Sequence, residues 1–367
     1  MYYIADLISH LESFAPLSYQ EDYDNCGLLT GNKHDNCKGV LITLDVTEEV
    51  VEEAIIKGCN LIVTHHPVIF KGLKKITGSN YVERTIIKAI QHNIAIYAIH
   101  TNLDNVFNGV NGMLANKLQL INQELLAPKK QLLGKLITYI PIADTDKVIQ
   151  QIFVTGAGSV GNYSECSFTV TGTGHFRPNE DSNPYIGHSG ELTKVEENRV
   201  EIQYPLYLET AIIKALKTYH PYEEPAFDLI KTENTHEKVG SGMIGELESE
   251  LSPEAFLKHI QINLKTTCIR YTTAFQGKIK KIAVCGGSGS FLLKNALAMG
   301  AQAFVTADFK YHDFFDAENR IQVCDIGHYE SEIHTKELLM SVLTKKFTTI
   351  VVVLSSINTN PIGYYTL

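Results

Sequence analysis

Short apolar runs alternating with amphipathic stretches narrow the folds open to this chain more than any other feature. Val40-Leu41-Ile42-Thr43-Leu44-Asp45, Leu61-Ile62-Val63 and Ile94-Ala95-Ile96-Tyr97-Ala98-Ile99 are too short for buried helices and read as strands covered on both faces. Between the first two, Val50, Val51, Ala54 and Ile55 give a helix its buried side, with Thr47 as N-cap and Gly58 as stop. Helices are also expected over 3–14, where Ile4, Leu7, Ile8 and Leu11 form a stripe before Pro16, and over 82–91. Strands alternating with helices predict a parallel sheet with helices on its faces, an α/β fold.

The far end of the chain repeats this plan. Lys281–Cys285 reads as a strand, Phe291–Met299 as a helix stopped by Gly300, and Ala303–Thr306 as the next strand. At one constant offset, Gly58 falls on Gly300, Thr64 on Thr306 and His66 on Asp308. A duplicated unit follows: two similar α/β halves, facing each other so that polar residues ending matching strands converge. The middle differs. Strands over 135–140, 166–172, 199–204 and 225–230 and helices over 144–153 and 207–219 give β-α-β-β-α-β, the order of a ferredoxin-like α+β domain. Gly156–Gly161 and Gly172-Thr173-Gly174 read as its turns. The expected domains are 1–127 and 236–367 for the halves and 128–235 for the insert, consistent with a length of 367 residues.

Composition excludes several classes. A net charge of −9 argues against a general nucleic-acid binder. No apolar run approaches the ~20 residues of a membrane span, and the N-terminus lacks the basic and apolar regions of a signal peptide. Seven scattered cysteines contain no C-x-x-C pair, so neither a disulfide framework nor a cysteine zinc site is expected, and a cytoplasmic location fits.

Thr64-His65-His66-Pro67 ends one of the strands. Imidazole is the commonest side-chain metal ligand, and ligands bind at the carboxyl ends of strands in open α/β sheets. A turn with two solvated histidines is the plainer reading of that stretch alone. His100, Asp104, Asp308, His312, His328 and Glu332 also follow strands, however. Asp308 with His312, and His328 with Glu332, are four apart and would share one face of a helix. Singly, such a pair is an exposed ion pair worth about 0.3–0.5 kcal/mol; eight such residues at matching strand ends suit a metal centre better. Mixed imidazole and carboxylate donors suit zinc, iron, manganese, nickel or cobalt. A bridging carboxylate with two or three histidines would hold two divalent ions about 3.5–4 Å apart. Glu332 and Asp104 are candidates for the bridging and terminal carboxylates, while His100, His312 and Asp308 are candidates for proton carriers or supporting groups. Gly286-Gly287-Ser288-Gly289-Ser290 lacks the spacing of a nucleotide-binding loop and reads as a tight turn. Tyr219-His220-Pro221-Tyr222-Glu223-Glu224 suits a ligand site and a helix-ending turn equally well.

Thr64–Pro67, His100-Thr101-Asn102-Leu103-Asp104 and Gly327-His328-Tyr329-Glu330-Ser331-Glu332 resemble the signature motifs of the Nif-three-like family, many members of which are called GTP cyclohydrolase 1 type 2 homologue. Tyr23–Leu28 and Val284–Gly289 resemble its other recurring phrases. The resemblance covers roughly 1–127 and 240–367. It implies that His65, His66, Asp104, His328 and Glu332 ligate a dinuclear divalent-metal site, with Glu332 bridging. Thr306-Ala307-Asp308 stands where the family has Thr-Gly-Asp/Glu. The middle segment is similar to the family's inserted domain of the PII/CutA type, and ring-shaped homohexamers are implied. The expected activity is that of a metal-dependent hydrolase acting on a small nucleotide-like substrate through a metal-bridged hydroxide. The alternative is a metal-binding regulatory or sensor protein whose insert binds an effector.

Overall fold

A computed structural model describes residues 2–365. The chain forms two compact units, one of Met1–Pro128 with Lys238–Leu367 and one of Lys129–Glu237. It begins with α1 (Ile4–Phe14), β1 (Gly27–Thr30), β2 (Val40–Thr43), α2 (Glu48–Ile56), β3 (Leu61–Thr64), α3 (Tyr81–Gln91), β4 (Ala95–Ala98), α4 (Thr101–Asp104), α5 (Val110–Lys117) and β5 (Ile121–Lys130). The second unit contributes β6 (Leu133–Pro141), α6 (Thr145–Phe153), β7 (Phe168–Phe176), β8 (Thr193–Pro205), α7 (Glu209–Tyr219) and β9 (Phe227–Lys231). The chain then returns through β10 (Thr235–Leu251), α8 (Pro253–Leu264), β11 (Arg270–Tyr271), β12 (Ile279–Ser288), α9 (Leu293–Ala298) and β13 (Ala303–Ala307). β14 (Gln322–Asp325), α10 (His328–Glu332), α11 (Thr335–Lys346) and β15 (Val352–Leu354) complete it.

The larger unit holds two sheets. The first has the order β1-β4-β3-β2-β15, in which β15, β2, β3 and β4 are parallel and β1 is an antiparallel edge. The second has the order β11-β14-β13-β12-β10-β5; β12, β13 and β14 are parallel, with β11 and β10 antiparallel beside them. An antiparallel edge strand therefore lies next to four parallel strands in the first sheet and three in the second. A division at 127 and 236 does not anticipate one feature: β5 joins the second sheet and β15 the first. Strand pairing is set by distant partners, so nothing local in Val352-Val353-Leu354 points to Val40-Leu41-Ile42.

Side chains alternate between the faces of each sheet, and both faces are covered, which is why the central strands are apolar throughout. Leu41, Ile62 and Ile96 pack on Val50, Val51 and Ala54 of α2 and Ile86 and Ala89 of α3. In the second sheet, Val284 and Val305 face Phe256 and Ile260 of α8, whereas Ala283 and Phe304 face Leu293 and Ala296 of α9. Each Val, Leu, Ile or Phe among them contributes about 1.5–3 kcal/mol on burial. Thr47 caps α2 as its sequence suggests, accepting from the Val50 N–H.

In the smaller unit the four strands have the order β7-β8-β6-β9, all antiparallel. Helices α6 and α7 supply Val148, Ile152, Ile212 and Leu216 to a core with Leu136, Ile140, Val200 and Ile202. Gly172-Thr173-Gly174 is not the turn its composition suggests but lies inside β7, paired with Glu197, Glu196 and Val195. A Cβ at Gly174 would come within 2.0 Å of Glu197 Oε2, so the glycine makes room for a neighbouring side chain.

Glu53 of α2 is buried and ties the C-terminal segment to the first sheet. Its carboxylate accepts from Lys57 Nζ at 2.7 Å, Ser356 N at 2.8 Å and the hydroxyls of Ser355 and Ser356. Burial raises its pKa, but these bonds outweigh it and bring the pKa down to about 2 from an ordinary 4.5. A carboxyl depressed on folding stabilises the native state above its unfolded value, and that contribution is lost as pH falls through the folded one. Glu53→Gln should therefore lower stability by roughly 1–3 kcal/mol at pH 7, measured by urea unfolding, with the difference from wild type shrinking as pH falls from about 4.5 towards 2.

Candidate metal centre

Each of the first sheet's three central strands delivers polar side chains from its carboxyl end. Beyond β3, the His65 and His66 N–H groups still donate to Thr43 O at 3.3 Å and Leu44 O at 2.9 Å. The Thr64 hydroxyl lies 2.9 Å from Leu44 O and 3.1 Å from His66 O, bracing the bend that brings both rings to one side. Those rings lie 4.9 Å apart, tilted by 45°. His100 precedes α4 and meets both, at 5.2 and 5.3 Å. From the second sheet, α10 presents His328 and Glu332 one turn apart.

The Nδ1 atom of every one of these histidines is engaged. His65 Nδ1–H donates to Ile99 O at 2.9 Å; the Nδ1 atoms of His66, His100 and His328 lie 2.7, 2.8 and 2.7 Å from Asp45, Asp24 and Asp308. These partners fix the tautomer and leave Nε2 as the ligating atom, the arrangement typical of metal-bound histidine. Glu332 is buried among them. Its Oε2 lies 2.9 Å from His66 Nε2 and 3.1 Å from His328 Nε2, and its Oε1 lies 3.8 Å from His65 Nε2. Asp104 Oδ1 is 3.6 Å from His65 Nε2, and neither atom has a hydrogen-bond partner although both are buried.

The electrostatics follow from this crowding. Burial opposes charge on His66, but Asp45 and Glu332 push its pKa up to about 10; Asp308 and Glu332 likewise push His328 up to about 11. Burial also opposes the Glu332 carboxylate, which His328, His65 and His66 nevertheless hold well below its usual range. Asp104 is pushed up to about 7, by burial first and then by the charge of Glu332, against the pull of His100. An imidazole lone pair facing a carboxylate needs a cation between them, either a proton or a metal ion. Two buried acceptors without a donor, on a set of mixed nitrogen and oxygen atoms, fit a divalent metal. Ligating atoms within 4.8 Å of one another group as His65, His66 and His100; as His66, His328 and Glu332; and as His65, Asp104 and Glu332.

The glycine-rich run ends β12 beside this cluster. A Cβ on Gly287, at φ +63°, would come within 2.4 Å of Glu332 Oε1, and the Gly287 N–H donates to Ser331 Oγ at 2.9 Å. The run thus frames the carboxylate. A cavity of about 210 Å³ adjoins the cluster, bounded by His100, Asp104, Glu332, Gly287, Tyr23 and Phe291.

His65, His66, His100, Asp104, His328 and Glu332 are thereby brought together, with Asp308 behind His328. His312 is not. Asp308 has a left-handed backbone, φ +57°, and the following 3₁₀ turn begins only at Tyr311, so the two do not share a helix face as their spacing suggests. The exposed His312 ring packs instead on Tyr311 and Phe315, at 5.2 and 6.3 Å. Asp24, Asp45 and Asp325 support the cluster through hydrogen bonds that the spacing did not bring out. Asp325 accepts from the N–H groups of Phe309 and Gly327, joining the Asp308 turn to the His328 turn. Asp45 had a signal, since it follows β2 as His66 follows β3.

The profile of the Duf34/NIF3 (NGG1p interacting factor 3) family matches residues 2–361. The chain belongs to the Duf34/NIF3 family. It is 38% identical over 364 residues to a GTP cyclohydrolase 1 type 2 homolog of Bacillus subtilis (strain 168), covering 98% of this chain and 97% of that one. It is also 38% identical over 366 residues to the protein so named from Staphylococcus aureus (strain MSSA476), covering 98% and 99%. The crystal structure of a Bacillus cereus protein related to NIF3 superimposes with a TM-score of 0.87 at 36% identity, covering 99% of both chains. Among the described residues, no helix of this Duf34/NIF3 chain is long and apolar enough to cross a membrane.

Two substitutions probe the centre in this Duf34/NIF3 protein. Gly287→Ala displaces the Glu332 carboxylate and should reduce zinc or manganese affinity at least ~10-fold, measured by titration of the apoprotein, while circular dichroism is unchanged. Asp45→Asn weakens the partner of His66 without touching its ligating nitrogen and should cost about 10-fold in the same titration.

Proposed function

We propose that this protein is a hydrolase whose centre holds two divalent cations, drawn from zinc, iron, manganese, nickel and cobalt. The observation that carries this reading is the way Glu332 divides its oxygens. Oε2 faces His66 and His328, and Oε1 faces the side on which His65 and Asp104 have unpartnered buried atoms. Glu332 would bridge, with His66 and His328 on one side and His65 and Asp104 on the other. Bound there, a pair of such ions would supply an activated water and stabilise negative charge on the substrate. His100, oriented by Asp24, stands beside the paired histidines and would move protons; Asp308 would orient His328. His312, exposed and packed on Tyr311 and Phe315, is assigned no role in this mechanism.

The relatives' name, GTP cyclohydrolase 1 type 2 homolog, suggests a small nucleotide-like substrate. Tyr23 and Phe291, exposed aromatics at the adjoining cavity, suit a planar base. The same reading takes the two sheets of the larger unit as a duplicated α/β unit, supported by their shared strand order, and Lys129–Glu237 as a ferredoxin-like insert of the PII/CutA type, supported by the order β7-β8-β6-β9. It also includes a cytoplasmic homohexamer, carried over from the family.

A regulatory protein with a metal-stabilised fold is the second reading, favoured by a separate aromatic cavity in the smaller unit. Turnover distinguishes the two. The metal-loaded protein should hydrolyse at least one member of a panel of nucleotides and pterin precursors, losing activity to a chelator and regaining it with metal. Glu332→Gln should leave a folded protein with under about a tenth of the wild-type metal content, by elemental analysis. Full occupancy in that variant would remove the bridging role, and no turnover across the panel would favour the regulatory reading.

A further inference from the structure

The smaller unit contains a cavity of about 390 Å³, a size that suits a small organic ligand. Its walls are aromatic: Tyr139, Phe176, Tyr185 and Tyr222 line it. The Tyr222 ring stands 5.8 Å from that of Phe176 and 6.3 Å from that of Tyr185, inclined by 60° and 56°. Rings inclined in this way surround a space rather than stack on one another.

Glu197 of β8 enters this cavity and is only 8% exposed. The Tyr222 hydroxyl donates to its Oε1 at 2.7 Å. Gly174 on the neighbouring strand gives its Oε2 the room that a side chain there would take. Tyr222 is itself held by the turn after α7. Burial holds the His220 pKa below its usual value; the neutral ring donates from Nε2 to Tyr139 O and accepts the Tyr222 N–H at Nδ1, both at 3.0 Å. Across the mouth, Glu223 accepts from the Asn183 N–H at 3.0 Å, tying down the loop that carries Tyr185. The turn at Tyr219–Glu224 thus both ends a helix and lines the cavity.

Chemistry selects the occupant. Glu197, Glu223 and Glu224 line the cavity, and no lysine or arginine does so. Apart from the tyrosines, His175 and Ser182 are the other polar side chains there, so an anion would meet three carboxylates and no lysine or arginine to offset them. A neutral apolar molecule would leave the Glu197 carboxylate buried against it, which is costly. A cation is attracted both by the ring faces and by the carboxylate. We propose that this cavity binds a small organic cation, a methylated or protonated ammonium, with its charge against Glu197 and its alkyl groups against the four rings. This site lies within the smaller unit and does not rest on the metal-centre reading.

The test uses the full-length protein and calorimetric titration with choline and its uncharged carbon isostere, 3,3-dimethylbutan-1-ol. Choline should bind, and the isostere should bind at least ~10-fold more weakly. Glu197→Gln should weaken choline about 10-fold or more without improving the isostere. Tyr185→Ala removes an exposed ring and carries the same test should the Glu197 variant fail to fold; it should weaken choline several-fold. Equal affinity for choline and the isostere, unchanged choline affinity in the folded variants, or no choline binding up to about 10 mM would each overturn the proposal. Metal content and turnover, measured on the same preparations, report separately on the other site.

Discussion

The structure of the larger unit turns on one buried carboxylate. Glu332 is 3% exposed and faces the Nε2 atoms of three histidines from two different sheets. A carboxylate removed from water is tolerated only when charge and hydrogen bonds replace its hydration. Here the replacement comes from groups that are themselves held from behind, by Asp45 for His66, Asp308 for His328 and the Ile99 carbonyl for His65. Removing any of these alters the balance at the centre, even though none of them ligates from the front.

The sheets make such a convergence possible. Parallel strands put all their carboxyl ends on one edge, so residues that follow β2, β3 and β4 become neighbours despite long separations in sequence. The second sheet does the same for Gly287, Asp308 and His328, which end or follow β12, β13 and β14. Backbone bonds past the strand ends hold these residues in register: Ile99 N–H donates to Thr64 O, and Ile326 N–H donates to Thr306 O. The chemistry therefore sits on short loops that are fixed by the strands before them.

How much of this was legible depends on the range of the interaction. Alternation over 40–99 and 281–306 was readable because both faces of each central strand are buried, leaving uniform apolar runs. The clustering of these residues was readable because imidazoles and acids at strand ends are uncommon packing choices. The spacing of Asp308 and His312 misled, because a left-handed residue at 308 keeps the helix from starting before Tyr311. Glycine also misled. Gly174 marks a close approach to Glu197 inside a strand, where composition suggested a turn. The pairing of β15 with β2 and of β5 with β10 left no local trace, since neither strand carries its partner's address.

Both sites share one device. In each, a glycine stands where a side chain would displace a buried carboxylate, Gly287 beside Glu332 and Gly174 beside Glu197. The carboxylate is the flexible end of such a contact, so an added Cβ would move the acid before it moved the strand. At Gly174 that places the sensitivity in ligand binding rather than in folding, whereas at Gly287 the left-handed backbone, φ +63°, adds strain of its own. The two acids then part company according to their surroundings. Imidazole nitrogens around Glu332 favour a metal ion, whereas Glu197, which among the described residues is in no group of metal-ligating atoms and has aromatic rings and a phenol hydroxyl beside it, favours a diffuse organic charge.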